Sequence, residues 1–286
     1  MRTGPGFSLG RLTTIGLVIA AIGCSSDRSL APSGTVLTDA QVSTDLATSG
    51  GNAAVTDLQD RDQYLSQMGI LRNHAADVSA PTGNTAPPPP PKCSYSELSG
   101  SWSCAPFTTA RGLIVTRAYT FFDAAGKPMQ HFDGATTAKV NYQTDKHGPV
   151  GDGGKVSGTT HNSSNETTSG LLGAETTRVW DGSGVSADTI THRDSVSARH
   201  YAGVRLDSLK GVTFLHPRAV GTYPLSGQMV QVSNYTVTAT GRTTETRSVS
   251  RRVVTTYNGS ELARMQSGHI TCTLHLDTGK VDGCHS

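Results

Sequence analysis

The sequence predicts an all-β fold: an antiparallel meander, curled into a half-barrel or folded into a thin sandwich, with one helix on its N-terminal side. Three observations carry this. From Ser94 onward, runs of alternating residue types are cut by turn signals such as Asp133-Gly134 and Asn258-Gly259. No helical segment separates those runs, so a parallel sheet has no crossover connections to use. Threonine fills many alternate positions, as in Thr236, Thr238 and Thr240 between Tyr235, Val237 and Ala239. Threonine keeps β propensity while supplying little apolar area, which suits a sheet with one wet face.

The chain reaches that sheet through four N-terminal segments. Residues 1–23 read as a secretory signal. Arg2 and Arg11 make a basic start, and Leu12 to Ile22 is an apolar run too short to stay across a hydrocarbon core of about 30 Å. Ala21-Ile22-Gly23-Cys24 resembles the lipobox of bacterial lipoproteins. That resemblance covers only the signal. It implies that Cys24 carries acyl chains such as palmitate, starts the mature chain and anchors it to a lipid bilayer. Ser25, rather than an aspartate, follows the cysteine, which implies sorting to the outer membrane. Residues 24–55, rich in Ser, Thr, Ala and Gly, read as a flexible tether. More than one acyl chain supplies the anchoring that a single chain cannot. The formal charge of +2 belongs to Arg2 and Arg11, so a chain starting at Cys24 is neutral. That balance argues against nucleic acid as a partner.

Residues 56–76 are the predicted helix. Thr56 and Gln59 fit a capping box, Asp57 and Asp60 fall in a first turn, and Leu58, Leu65, Met68 and Leu71 form an apolar stripe. Residues 77–92 contain Pro87 to Pro91, which favour polyproline II and read as a semi-rigid spacer. Residues 93–286 form the predicted β domain. Leu113 to Phe122 carries bulk on both faces and reads as a central strand. Further strands are predicted at 129–132, 138–142, 158–164, 175–180, 186–193, 198–206, 212–215, 227–232, 235–240, 243–256, 269–276 and 280–283. Asp181-Gly182, Asn258-Gly259 and Asp277 to Gly279 are expected turns, and 146–154 an expected Gly-rich loop. Tyr119, Phe121, Phe122, Phe132, Tyr142 and Trp180 are the expected aromatic core.

Four cysteines remain besides Cys24: Cys93, Cys104, Cys272 and Cys284. In an exported chain they are expected to be oxidised. The local pairs Cys93–Cys104 and Cys272–Cys284 are favoured over bridges joining the two ends of the domain. Their spacing is far from that of a structural zinc site.

Motifs for chemistry are sparse. Nucleophile elbow, Walker loop, dinucleotide fingerprint and His-Glu-x-x-His are all missing from the sequence. His192 or His200 could meet His216 across strands, and Asp181, Asp188 and Asp194 are the acidic residues a calcium site would draw on, but neither set follows a ligand code. Asp123 with Asp133, or Glu175 with Asp181, could pair as a hydrolase would need. No catalytic residue, metal site or cofactor is therefore assigned. Arg247, Arg251 and Arg252 are the surface-binding candidates, for anionic headgroups or polysaccharide, with a solvated edge strand as the plainer reading.

The expected function is a non-catalytic structural or binding role in the bacterial cell envelope, with an envelope protein or polysaccharide as partner. Two alternatives stand beside it. A curved sheet resembles that of envelope carrier lipoproteins, which implies an apolar or lipidic ligand in a cup lined by Leu113, Val115, Phe132 and Trp180, plugged by the segment near Leu65. An envelope hydrolase is the other.

Overall fold

The computed structural model describes residues 37–68, 70, 92–109, 111–151, 154–216 and 223–285. The signal, Cys24, Leu71 and the polyproline run lie outside the described residues. Among the described residues one helix, α1 (Asp39–Gln67), precedes thirteen strands: β1 (Cys93–Ser96), β2 (Ser101–Thr108), β3 (Ile114–Asp123), β4 (Pro128–Met129), β5 (Thr137–Gly151), β6 (Val156–Ser169), β7 (Thr177–Arg193), β8 (Ala198–Leu215), β9 (Ser226–Thr240), β10 (Thr244–Thr256), β11 (Leu262–Ser267), β12 (Ile270–His275) and β13 (Val281–His285). Successive strands pair antiparallel, with β4 attached only to β3, so the sheet is one meander that does not close into a barrel.

The central strands are longer than their sequence suggests. The predicted segments 175–180 and 186–193 are one strand, β7, and the expected turn at Asp181-Gly182 is a bulge within it, where the register against β8 shifts between Trp180 and Gly182. A Cβ on Gly182 would stand 2.7 Å from the Asn165 carbonyl oxygen on β6. The glycine therefore serves a close approach of two backbones, not a chain reversal. The expected loop at 146–154 is strand as far as Gly151.

The helix also departs from expectation. It starts at Asp39, so residues 39–55 are helical rather than tether. Its capping box is Thr38 with Gln41: the Thr38 hydroxyl accepts from the Gln41 amide at 3.1 Å, and the Gln41 side chain accepts from the Thr38 amide at 3.0 Å. Thr56 is a mid-helix residue whose hydroxyl donates to the Asn52 carbonyl at 2.8 Å. Asp57 and Asp60 lie well inside the helix, away from its N-terminal dipole.

The sheet must curl around this helix. At the level of Gly51, α1 packs against Leu274 of β12 and Val281 of β13. Six residues later, Asp57 pairs with Lys146 of β5. Six helical residues rise about 9 Å, whereas β5 and β13 would lie about 38 Å apart in a flat sheet at about 4.8 Å per strand. Only a strongly curved sheet brings both strands to one helix. Val42, Leu46, Ala54, Val55 and Leu58 join Trp180, Tyr201, Val237, Met265 and Leu274 in the main core. A smaller cluster of Leu65, Ile70, Phe121, Val140 and Leu171 continues it past the helix C-terminus.

Both predicted disulfides are present, Cys93–Cys104 joining β1 to β2 and Cys272–Cys284 joining β12 to β13. Each tacks down one edge of the open meander. Loss of the second, in Cys272→Ser with Cys284→Ser, is expected to lower stability by about 3 kcal/mol for a loop of this size, read as a shifted urea midpoint.

Candidate functional site

The concave face under α1 carries charged and hydroxyl side chains, where the carrier alternative would require an apolar cup. Three clusters sit along it. In the first, the Asp45 carboxylate of α1 accepts from Arg199 Nε at 2.6 Å and Nη2 at 3.1 Å, and from the Tyr201 hydroxyl at 2.7 Å. His192 Nδ1 stands 3.5 Å from the same carboxylate, and its Nε2 is 2.9 Å from the Ser49 hydroxyl. Burial, reinforced by the negative Asp45, pushes the Tyr201 phenol well above its ordinary range.

In the second, Lys146 of β5 donates to Asp57 at 3.1 Å and to Asp60 at 2.7 Å. Nearby, Trp180 Nε1 donates to Glu166 at 2.8 Å. The Arg61 guanidinium lies 3.4 Å from the Phe214 ring centre and 5.2 Å from that of Trp180, a cation–π sandwich under the helix. In the third, Asp188 accepts from the Tyr235 hydroxyl at 2.7 Å and pairs with Arg205 at 3.2 Å, while Arg205 also bonds Asp207.

Burial raises Asp57 from 3.8 to about 6, opposed by Lys146 and reinforced by Glu166, Asp207 and Asp60. A carboxyl raised on folding binds its proton more tightly in the folded state. Its contribution to stability is therefore complete below about pH 4 and is lost as pH rises to about 6. Asp57→Asn keeps an acceptor for Lys146 without the charge. It is expected to raise Tm at neutral pH and to match the wild type near pH 4, measured by thermal melts across that range.

The space between these groups is small. The voids between Asp57, Tyr64, Lys146 and Glu166, and between Asp57, Ser183, Asp207 and Met229, are each about 10 Å³, roughly a single water's worth. The four residues that would line the cup of the carrier alternative do not share one. Trp180 is buried beneath Arg61, Phe132 packs on Phe121, and Val115 is buried on β3 while Leu113 precedes it half-buried. A larger hollow, about 720 Å³, is an open valley on the outer face along Thr116, Gln143, Ser163, Val185 and Leu206.

The other sequence candidates separate. His192 is buried and faces the helix, whereas His200, on the next strand, is exposed on the outer face. His216 lies 3.1 Å from Arg178. Asp181 accepts from the Gly211 amide, Asp188 belongs to the third cluster, and Asp194 caps its own turn and pairs with Arg199. Glu175 accepts from the Leu172 amide, and Asp123 from that of Lys127. Arg247 and Arg251 do share a face, and both pair with Asp39 at the start of α1, at 2.9 and 3.0 Å. Arg252 points to the opposite face and is exposed. Their strand, β10, is not an edge strand: it lies between β9 and β11.

The buried partners Asp45, Lys146, Arg199, Arg205 and Asp207 were not singled out from sequence. The available signal was charge on the inward parity of long strands, as in Arg199, Tyr201, Arg205 and Asp207 of β8. No family model, curated protein or solved structure matches the chain.

Proposed function

We propose that this protein is a cell-envelope lipoprotein, held at the outer membrane by an acylated Cys24, whose sheet-and-helix unit serves as a non-catalytic structural or binding module. The observation that carries the reading is the pair of local disulfides at the two edges of the sheet. Such bonds persist in oxidising compartments, where a chain with this signal would be delivered. The trough supports the non-catalytic part. Its carboxylates Asp45, Asp188, Asp207 and Glu166 are each bound to a cation, a phenol or an indole of the same fold. A carrier would require α1 to leave the trough, breaking the ion pairs of Asp45, Asp57 and Asp60.

The test is mass spectrometry of native protein extracted in detergent, alongside fractionation of a Cys24→Ser variant. Acyl chains are expected on Cys24, and the variant is expected to move from the membrane to the soluble fraction. A native N-terminus that begins elsewhere and carries no lipid overturns the anchor.

A further inference from the structure

The turns of a meander alternate between its two ends, and here the ends differ in charge. One end collects the β2–β3, β5–β6, β7–β8 and β9–β10 turns, while the β11–β12 turn faces the same way but stops short of it, since Ser267 pairs with Val253. Exposed basic residues mark it: Arg111, Lys155, Arg193 and Arg242. Among the described residues no ion pair is made by Arg111, Lys155 or Arg242. Its acidic residues are Asp194, which Arg199 neutralises, and Asp152, which lies outside the described residues. Below the rim, Arg247, Arg251 and Arg252 outweigh Asp39 and Glu245. The opposite end is acidic. Its described turn residues include Glu97, Asp133, Glu175, Glu261 and Asp277 against Lys127 and Lys280, and Arg218 lies outside the described residues.

The helix begins at the basic end. Asp39 pairs with Arg247 near the start of β10, and Asp45 with Arg199 at the start of β8, whereas Ile70 meets Arg178 at the start of β7, on the acidic side. The chain therefore enters α1 from the basic side.

We propose that the basic end is a membrane-contacting surface for anionic phospholipid headgroups, which stands the meander on the bilayer with its acidic end outward. This rests on the lipoprotein reading for its anchor. Charge complementarity and the side from which the chain enters α1 point to the same end, and each exposed Lys or Arg strengthens attraction to an anionic surface by about fivefold.

The test uses the mature full-length chain with Cys24→Ser, so that no acyl chain contributes. Binding is measured to vesicles of phosphatidylcholine with phosphatidylglycerol and of phosphatidylcholine alone. The expected result is preference for the anionic vesicles, lost in high salt and weakened about fivefold by each of Lys155→Gln and Arg242→Gln. Glu175→Gln and Glu261→Gln, at the far end, should leave it unchanged. These positions are exposed, and circular dichroism confirms that the variants fold. Equal binding to both vesicles, or equal loss from variants at both ends, overturns the surface. An acylated Cys24 in native protein with no anionic preference overturns this surface alone. An unacylated Cys24 with the preference intact overturns the lipoprotein reading and leaves the surface supported.

Discussion

Asp45→Ala is expected to destabilise the protein by about 3–5 kcal/mol, because it strips a buried cation of its partner. For a domain of this size that lowers Tm by roughly 10 °C. Arg199 is buried, and its Nε and Nη2 both donate to the one carboxylate that also holds the Tyr201 hydroxyl. Alanine removes both acceptors at once. Asp194 still binds Arg199 Nη1, but from a carboxylate that is 38% exposed and already committed to its own turn. The cost should therefore fall on the contact between α1 and the β7–β8 end of the sheet. Hydrogen exchange should show the first turns of α1 losing protection before the central strands do. Replacing the pair with apolar residues, as Asp45→Leu with Arg199→Met, should return much of the loss, since an apolar pair carries no desolvated charge. If Asp45→Ala melts within about 1 kcal/mol of the wild type, the value for an exposed pair, Asp45 does not pin the helix.

The same residues show which parts of this fold a sequence can display. Strand alternation was legible because antiparallel strands carry their instructions locally: inward Tyr235, Val237 and Ala239 alternate with outward Thr236, Thr238 and Thr240. The disulfide pairs were legible because each closes a hairpin between neighbouring strands. The start of the helix was not. Gly50-Gly51 and the serines and threonines around them have poor helix propensity and resemble a linker. In the structure α1 comes close to the sheet at these glycines, a Cβ on Gly51 falling 2.6 Å from Val281 and one on Gly50 falling 2.3 Å from Gln231. The segment is helical because the surrounding sheet buries it, a tertiary effect with no local signature. The charged trough was hidden for a related reason. Lys146, Arg199 and Arg205 look like surface residues until the curvature of the sheet turns their face inward onto Asp45, Asp57, Asp60 and Asp188.

Trp180→Ala is expected to cost about 3–5 kcal/mol, the range for deleting a large buried aromatic. Trp180 is 1% exposed at the bulge of β7. Its removal empties the space beneath Arg61, takes one ring from the cation–π sandwich, and frees the Glu166 carboxylate from its indole donor. Glu166 also faces Asp57 and Lys146, so a carboxylate there that has lost its indole donor should push the Asp57 carboxyl further above its present value of about 6. The loss of stability with rising pH should then extend to higher pH than in the wild type. Trp180→Phe separates the two effects. It keeps most of the volume and loses the hydrogen bond, so it should cost about 1–3 kcal/mol, the penalty of a buried acceptor left unpaired. Added indole gives the decisive comparison. It should raise the melting temperature of Trp180→Ala by refilling the cavity and restoring an N–H donor, and leave the wild type unmoved, because the voids flanking this site are only about 10 Å³. Equal stabilisation of both proteins would mean that the trough already admits an aromatic guest, and the carrier reading would return with α1 as a displaceable plug.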